Sequence, residues 1–178
     1  RAAPEKVRKI LVVQGPLDSR KREILTLARS QGVPVYRETK ARIGRVRGED
    51  AHQGVVAELT EISWMSLETL IAEAPDPALL LVLDQVEDPR NLGAAVRAAD
   101  GAGVHGVVMP ERKTAPPSQV AIAASGGALF HARMARVTNL SNALAQLKEK
   151  GLWIVGLSPD ARDPWYSFDY TVPLAVVV

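Results

Sequence analysis

A chain of 178 residues is a little longer than the ~150 residues of one typical domain, so it holds one medium domain or a small one joined to a larger one. An apolar fraction of 47% with 24% charged residues excludes wholesale disorder, the lack of cysteine excludes disulfide frameworks and thiol nucleophiles, and no apolar run approaches the ~18 residues that span a bilayer. The net charge of +2 conceals an asymmetry, because residues 1–60 carry 13 Lys and Arg against 7 Asp and Glu, whereas residues 61–178 carry 9 against 13. A basic first third fits contact with a polyanion such as nucleic acid, and fits equally a solvated cationic surface. With no charged-then-apolar signal pattern at the start, a cytoplasmic protein is expected.

In chain order, residues 7–13 form an apolar run around Arg8 and Lys9 that closes on Gly15-Pro16, a strand followed by a turn. Between 19 and 30, Ile24, Leu25, Leu27 and Ala28 follow Arg20, Lys21 and Arg22 with the spacing of an amphipathic helix ending near Gly32. Strands at 33–36 and 54–59 flank the basic stretch 40–47, which completes a compact α+β unit. Residues 61–77 are acidic and moderately helical, and they close on Ala74-Pro75-Asp76-Pro77, where two prolines break helix and mark a boundary. Beyond it the apolar runs 79–83, 104–109, 152–157 and 174–178 alternate with helical stretches at 91–101, 118–129 and 140–150. Runs without polar alternation suit strands covered on both faces of a parallel sheet, so this region is expected to be α/β. The expected organisation is a small α+β domain at 1–60, a linker at 61–76 and an α/β domain at 77–178. Because the chain starts at Arg1 and stops on an uncapped apolar run, a fragment is expected.

Gly101-Ala102-Gly103-Val104-His105-Gly106 matches the GxGxxG dinucleotide fingerprint, but here the glycines end a helix and open a strand. That inverts the context in which helix N–H groups meet a pyrophosphate, so helix termination accounts for them better. Asn139-Leu140-Ser141 matches a glycosylation sequon, and Asn139 reads better as a helix cap. His52, His105 and His131 have no ligand-like spacing, so each is read as structural or at the surface and no metal site is expected.

The informative segment runs from Leu83 to Asp100. A strand runs out at Asp84, a polar loop with Pro89 follows, and a helix begins around Asn91, at the kind of strand end where open α/β sheets bind ligands. Asn91 suits either the cap position or a ligand-facing one. Gly93 and Ala94 precede Arg97 by four and three residues, so they share its face and clear a path for a guanidinium reaching toward the loop, where it could hold a phosphate. Close helix packing explains the same small residues with Arg97 merely at the surface.

The stretch Asp88-Pro89-Arg90-Asn91-Leu92-Gly93-Ala94-Ala95-Val96-Arg97-Ala98-Ala99 resembles the first signature motif of the SpoU/TrmH class of RNA ribose 2′-O-methyltransferases. The similarity continues through Gly103–Val108, Ala123-Ala124-Ser125-Gly126-Gly127-Ala128, Val137–Leu140 and Leu152–Gly156, while His52-Gln53-Gly54-Val55-Val56-Ala57 resembles the end of the substrate-binding domain in members that modify guanosine in large-subunit ribosomal RNA.

The resemblance implies methyl transfer from S-adenosylmethionine to a ribose 2′-hydroxyl by a homodimer, on a parallel sheet whose C-terminal part forms a deep trefoil knot. By motif match it implies that Arg97 is the catalytic arginine and Asn91 its motif neighbour. Arginine stays protonated in proteins, which suits it to orienting a phosphate and stabilising oxyanion charge rather than removing a proton. The glycine-glutamate-glycine motif and the later serine- and asparagine-containing motif of the family are not found before Val178, so the knot part is expected to be missing and normal cofactor binding is not expected of this chain. Of the cofactor positions, Gly156 and Leu157 remain, and Leu157 stands where many members have threonine. In the first domain Lys21, Arg22, Lys40, Arg42, Arg45 and Arg47 are candidate RNA phosphate contacts, contributing salt-sensitive affinity. An aromatic share of only 4% gives little expectation of base stacking. The alternatives are a non-catalytic RNA-binding protein and a transfer-RNA ribose methyltransferase of the same class.

Overall fold

The computed structural model describes residues 4–47 and 53–178, which fall into two compact units, Arg1–Glu61 and Ile62–Val178. In the first, β1 (Val7–Val13), α1 (Ser19–Ser30), β2 (Val35–Glu38), α2 (Lys40–Arg47) and β3 (Val55–Leu59) build a three-stranded sheet in the order β2-β1-β3. β1 runs parallel to β2, with Ile10 opposite Val35, and antiparallel to β3, with Val12 opposite Val55. Ile10, Ala28 and Val33 form a small core that Val7, Val35, Val55 and Ala57 complete. Asp18 caps α1 by accepting the Lys21 N–H at 2.8 Å. That N–H, reinforced by the Lys21 ammonium at 3.0 Å, holds the Asp18 carboxyl below the usual carboxylate range.

The basic stretch 40–47, expected only as a connection between strands, is the helix α2. One side of it is anchored by Ile43, whose side chain is fully buried.

The second unit comprises β4 (Trp64–Met65), α3 (Leu67–Glu73), β5 (Leu79–Val82), α4 (Pro89–Gly101), β6 (Gly106–Pro110), α5 (Gln119–Ala124), β7 (Met134–Val137), α6 (Leu140–Glu149), β8 (Trp153–Gly156) and β9 (Leu174–Val177). Its sheet has the order β4-β7-β6-β5-β9-β8, and every pairing is parallel, as the unbroken apolar runs predict. Successive side chains of β5 point to opposite faces. Leu81 and Leu83 therefore join Leu92, Val96, Ala121 and Leu129 beneath α4 and α5, while Leu80 and Val82 join Leu70, Ala143 and Leu147 beneath α3 and α6.

Three expectations are corrected. Residues 61–76 are not a linker: β4 pairs with β7, and α3 buries Leu67 and Leu70 against the sheet, so the segment from Ile62 onward belongs to the second unit. The helix expected over 118–129 stops at Ala124, because Gly126 and Gly127 adopt left-handed backbone angles (φ 61° and 98°) that turn the chain into a short 3-10 segment, Ala128–Phe130. Met134–Val137, expected in no element, is β7, an inner strand that pairs with both β4 and β6.

Other readings match. Gly103, with φ 72°, turns the chain after α4 into β6, and Asn139 caps α6 by accepting the Asn142 N–H at 3.0 Å. His105 Nδ1 accepts the Leu79 N–H at 2.9 Å, a structural role. His52 lies outside the described residues. Among the described residues no helix is long and apolar enough to cross a membrane.

Candidate active-site edge

Three strand ends meet in one row. The Leu157 N–H donates to the Val177 carbonyl at 2.8 Å, the Val178 N–H to the Val82 carbonyl at 3.0 Å, and the Asp84 N–H to the Val178 carbonyl at 2.8 Å. These bonds align the carboxyl ends of β8, β9 and β5, so Leu157 and the loop after β5 share one edge with a single strand between them, about 10 Å apart at the usual spacing of neighbouring strands. The strand order reverses around β5, since β6 and β7 lie to one side of it and β9 and β8 to the other. Open α/β sheets bind ligands at such an edge.

From this edge α4 starts at Pro89. Asp88 is its cap, accepting the Arg90 N–H at 2.7 Å, with Pro89 in the first helical position where no N–H is missed. The cap reading of Asn91 is thereby corrected. Asn91 sits within the first turn of α4, exposed and free of capping duty.

Arg97 lies further along α4 and is exposed. Its Nε would be 4.0 Å from a Cβ built on Gly126, so the side chain lies over the turn that follows α5. Gly93 is buried, and it does not serve as a corridor for Arg97. A Cβ on it would collide with the Ala121 carbonyl oxygen and stand 2.6 Å from Ala124 Cβ and 2.8 Å from the Ser125 nitrogen. The packing explanation therefore holds for Gly93, while Ala94 is exposed.

Ser125, which the residue pattern left without a role, organises the turn beneath Arg97. It is 2% exposed, and its hydroxyl donates to the Ile122 carbonyl at 2.8 Å while accepting the N–H groups of Gly127 at 3.2 Å and Leu129 at 3.4 Å. Ser125→Ala removes the hydroxyl acceptor of the buried Leu129 N–H, while the Gly127 N–H keeps the Ile122 carbonyl at 3.3 Å, so equilibrium urea unfolding is expected to show a loss of about 1–3 kcal/mol.

At the β8 end a cavity of about 820 Å³ opens beside Gly156 and Leu157, walled by Arg162, Trp165, Phe168 and Tyr170. No atom stands within 4 Å of a Cβ built on Gly156, so a ligand can approach that backbone closely. A cavity of this size with aromatic walls accommodates a nucleoside-sized group such as S-adenosylmethionine. The Leu157 N–H is engaged by Val177, so any contact at that residue must use its other atoms. The low aromatic share misleads here. Trp153, Trp165, Tyr166, Phe168 and Tyr170 are five of the eight aromatic residues, and Trp165 and Tyr166 are 69% and 71% exposed.

The candidate RNA contacts in the first unit differ in availability. Lys21 pairs with Asp18 and lays its stem over Gly54, Arg42 pairs with Glu38 at 3.5 Å, and Arg22 Nε donates to the Leu17 carbonyl at 3.2 Å. Lys40 and Arg45 are exposed and make no ion pair among the described residues, whereas the side chain of Arg47 lies outside them. Exposed Arg8, Arg20 and Arg37 add cations that the spacing did not single out.

A six-stranded, all-parallel α/β unit with an arginine-bearing helix rising from its ligand edge, accompanied by a small basic α+β unit, defines a two-part class with a place for a nucleoside-sized group and a cationic module. The profile of the SpoU rRNA Methylase family matches residues 78–178, and that described as RNA 2′-O ribose methyltransferase substrate binding matches residues 1–65. The chain belongs to the SpoU rRNA methylase family. It is 38% identical over 179 residues to the 23S rRNA (guanosine-2′-O-)-methyltransferase RlmB of Nitrosomonas europaea, covering 100% of this chain and 69% of that one. Among solved structures, the SpoU methyltransferase AviRb of Streptomyces viridochromogenes in complex with AdoMet superposes with a TM-score of 0.77 at 22% identity, covering 99% of this chain and 68% of that one. The AdoMet-bound rRNA methyltransferase of Sinorhizobium meliloti gives 0.74 at 22% identity, covering 97% of this chain and 62% of that one. At these identities the superpositions show the shared fold.

Proposed function

We propose that the protein transfers a methyl group from S-adenosylmethionine to the 2′-hydroxyl of a guanosine ribose in large-subunit ribosomal RNA. The single observation that carries this reading is the row of backbone bonds from Leu157 to Asp84, which puts the cavity at Gly156 and the arginine-bearing motif helix on one sheet edge. The resemblance to RlmB, named for guanosine 2′-O-methylation of 23S rRNA, supports the substrate.

When bound, S-adenosylmethionine supplies an electrophilic methyl group. Gly156 and Leu157 border its place, and the aromatic rings beyond β8 offer an apolar wall. Arg97 holds a substrate phosphate through its planar fork of donors and stabilises the negative charge that develops on the ribose oxygen. Because a guanidinium remains protonated, the hydroxyl proton leaves to another acceptor. Asn91, one and a half turns before Arg97, offers an amide to the same nucleotide. Lys21, Arg22, Lys40, Arg42, Arg45 and Arg47 recruit the RNA backbone with little dependence on sequence. A homodimer that completes the site from a second copy, working in the cytoplasm where ribosomal RNA is modified, belongs to the same reading.

The test is transfer of tritiated methyl from S-adenosylmethionine to transcribed, unmodified 23S rRNA by the intact enzyme. Label recovered as 2′-O-methylguanosine is the expected result. Label on a base, label only in transfer RNA, or none with RNA still bound overturns the proposal in favour of another methylation, a transfer-RNA enzyme or a non-catalytic RNA-binding protein.

A further inference from the structure

Two loops at the carboxyl edge of the larger unit are locked to each other. One follows β5 and the other follows β6, its neighbour in the sheet. The Val86 carbonyl of the first accepts the Ala115 N–H of the second at 2.7 Å and the Thr114 hydroxyl at 3.4 Å. Ala115 is buried, and the Glu111 N–H donates to the Val137 carbonyl at 2.9 Å, so the second loop is pinned at its start and its middle. Between the pins stand Arg112 and Lys113, both exposed.

Two further features set this pair apart. Among the described residues, the non-glycine positions in the left-handed region are Gln85 (φ 54°) and Lys113 (φ 56°), one in each of the locked loops. An L-residue is disfavoured there, and such backbone persists where the surrounding structure holds it in place, often at binding sites. The first loop also carries exposed Asp84, Glu87 and Asp88, yet neither Arg112 nor Lys113 forms an ion pair with a carboxylate among the described residues. The chain thus pins the backbone that carries two exposed cations, on the edge from which α4 and Arg97 rise, and pairs neither with a carboxylate among the described residues.

We infer that Arg112 and Lys113 form a phosphate-binding prong that grips the RNA backbone next to the nucleotide being modified. This rests on the function proposed above and adds to it a second anchor, on the larger unit itself. Cations pre-positioned on a rigid loop lose little freedom on binding, so they fix the register of the strand, whereas the basic helices of the small unit supply general attraction.

Lys113→Gly separates this role from folding, because glycine takes φ 56° without steric penalty and the variant should be no less stable than the parent. Binding of the full chain to a transcribed 23S rRNA fragment is measured between 50 and 200 mM salt. Lys113→Gly and Arg112→Gln are each expected to weaken binding roughly tenfold at 100 mM salt and to lower the slope of log K against log salt by about 1. Lys150→Gln, a charge removed from an exposed position beyond α6, is expected to leave the slope unchanged. S-adenosylmethionine binding and the unfolding midpoint should stay at parental values. Parental affinity and slope in both prong variants overturn the inference, as does an equal loss in Lys150→Gln. A parent chain that binds RNA but methylates none overturns the proposed function instead, while the slopes still decide the prong.

Discussion

In the intact enzyme, Arg97→Lys is expected to lower single-turnover ribose methylation by roughly 100- to 1,000-fold, the scale of losing one positioned donor to a developing oxyanion. The melting temperature should not change, because Arg97 is exposed and its side chain lies over a glycine turn rather than inside the core. Lysine keeps the charge but replaces a planar fork of donors with a single ammonium. The substitution therefore tests whether phosphate geometry or charge alone is required. Quench-flow with saturating S-adenosylmethionine measures the chemical step directly, and a rate within about threefold of the parent would show that a point charge suffices. Arg97→Ala should lose at least as much, and partial rescue by added guanidinium would identify the missing group.

Gly93→Ala is expected to destabilise the larger unit by about 3 kcal/mol, at the upper end of ordinary overpacking, because the new methyl meets backbone as well as a side chain. The Ala121 carbonyl and the Ser125 nitrogen belong to α5 and the turn that closes it, so the clash is relieved only by moving α5 off α4. That shift carries the Gly126 turn away from Arg97, and methylation should fall together with stability. Ala94→Ser is the matched control, one residue along the same helix at an exposed position and expected within about 0.5 kcal/mol of the parent. Urea midpoints for the two variants check the contrast. Equal midpoints would mean that the helices separate at little cost.

The residues made much of this architecture legible, and the exceptions have identifiable causes. β5, β8 and β9 lie within the apolar runs, and β6 overruns its run by Pro110 alone, because strands covered on both faces need no polar alternation. β4 is two residues long, too short to show any period, and β7 carries Arg136 in its run. That charge is tolerated because the guanidinium lies 3.8 Å from the centre of the Trp64 ring on the neighbouring strand, a contact between residues 72 positions apart. In α2, Gly44 and four cations obscured the helix, and the buried Ile43 side chain anchors it.

The position of Arg97 on α4 was legible from the helix period, while the role proposed for it comes from the motif resemblance; the reason for Gly93 lies on α5, which no local pattern reveals. Asn91 reads as a cap by residue type alone, but Asp88 holds that position, and the local signal for it is the proline that follows, suited to a first helical position. Composition misled about the aromatics, since a low average conceals a local concentration beyond β8.

The insertion of β9 between β5 and β8 has a consequence for how the molecule forms. β9 follows β5 by more than 90 residues, and β8 has no other partner in the sheet. An early assembly of β5, β6 and β7 can form from contacts closer along the chain, but β8 has nothing to dock against until β9 arrives. Such long-range pairing pays its loop-closure entropy before it is rewarded, so the step is slow. During synthesis β8 therefore waits for β9 to be made before it can join the sheet, and with it the Gly156 side of the site.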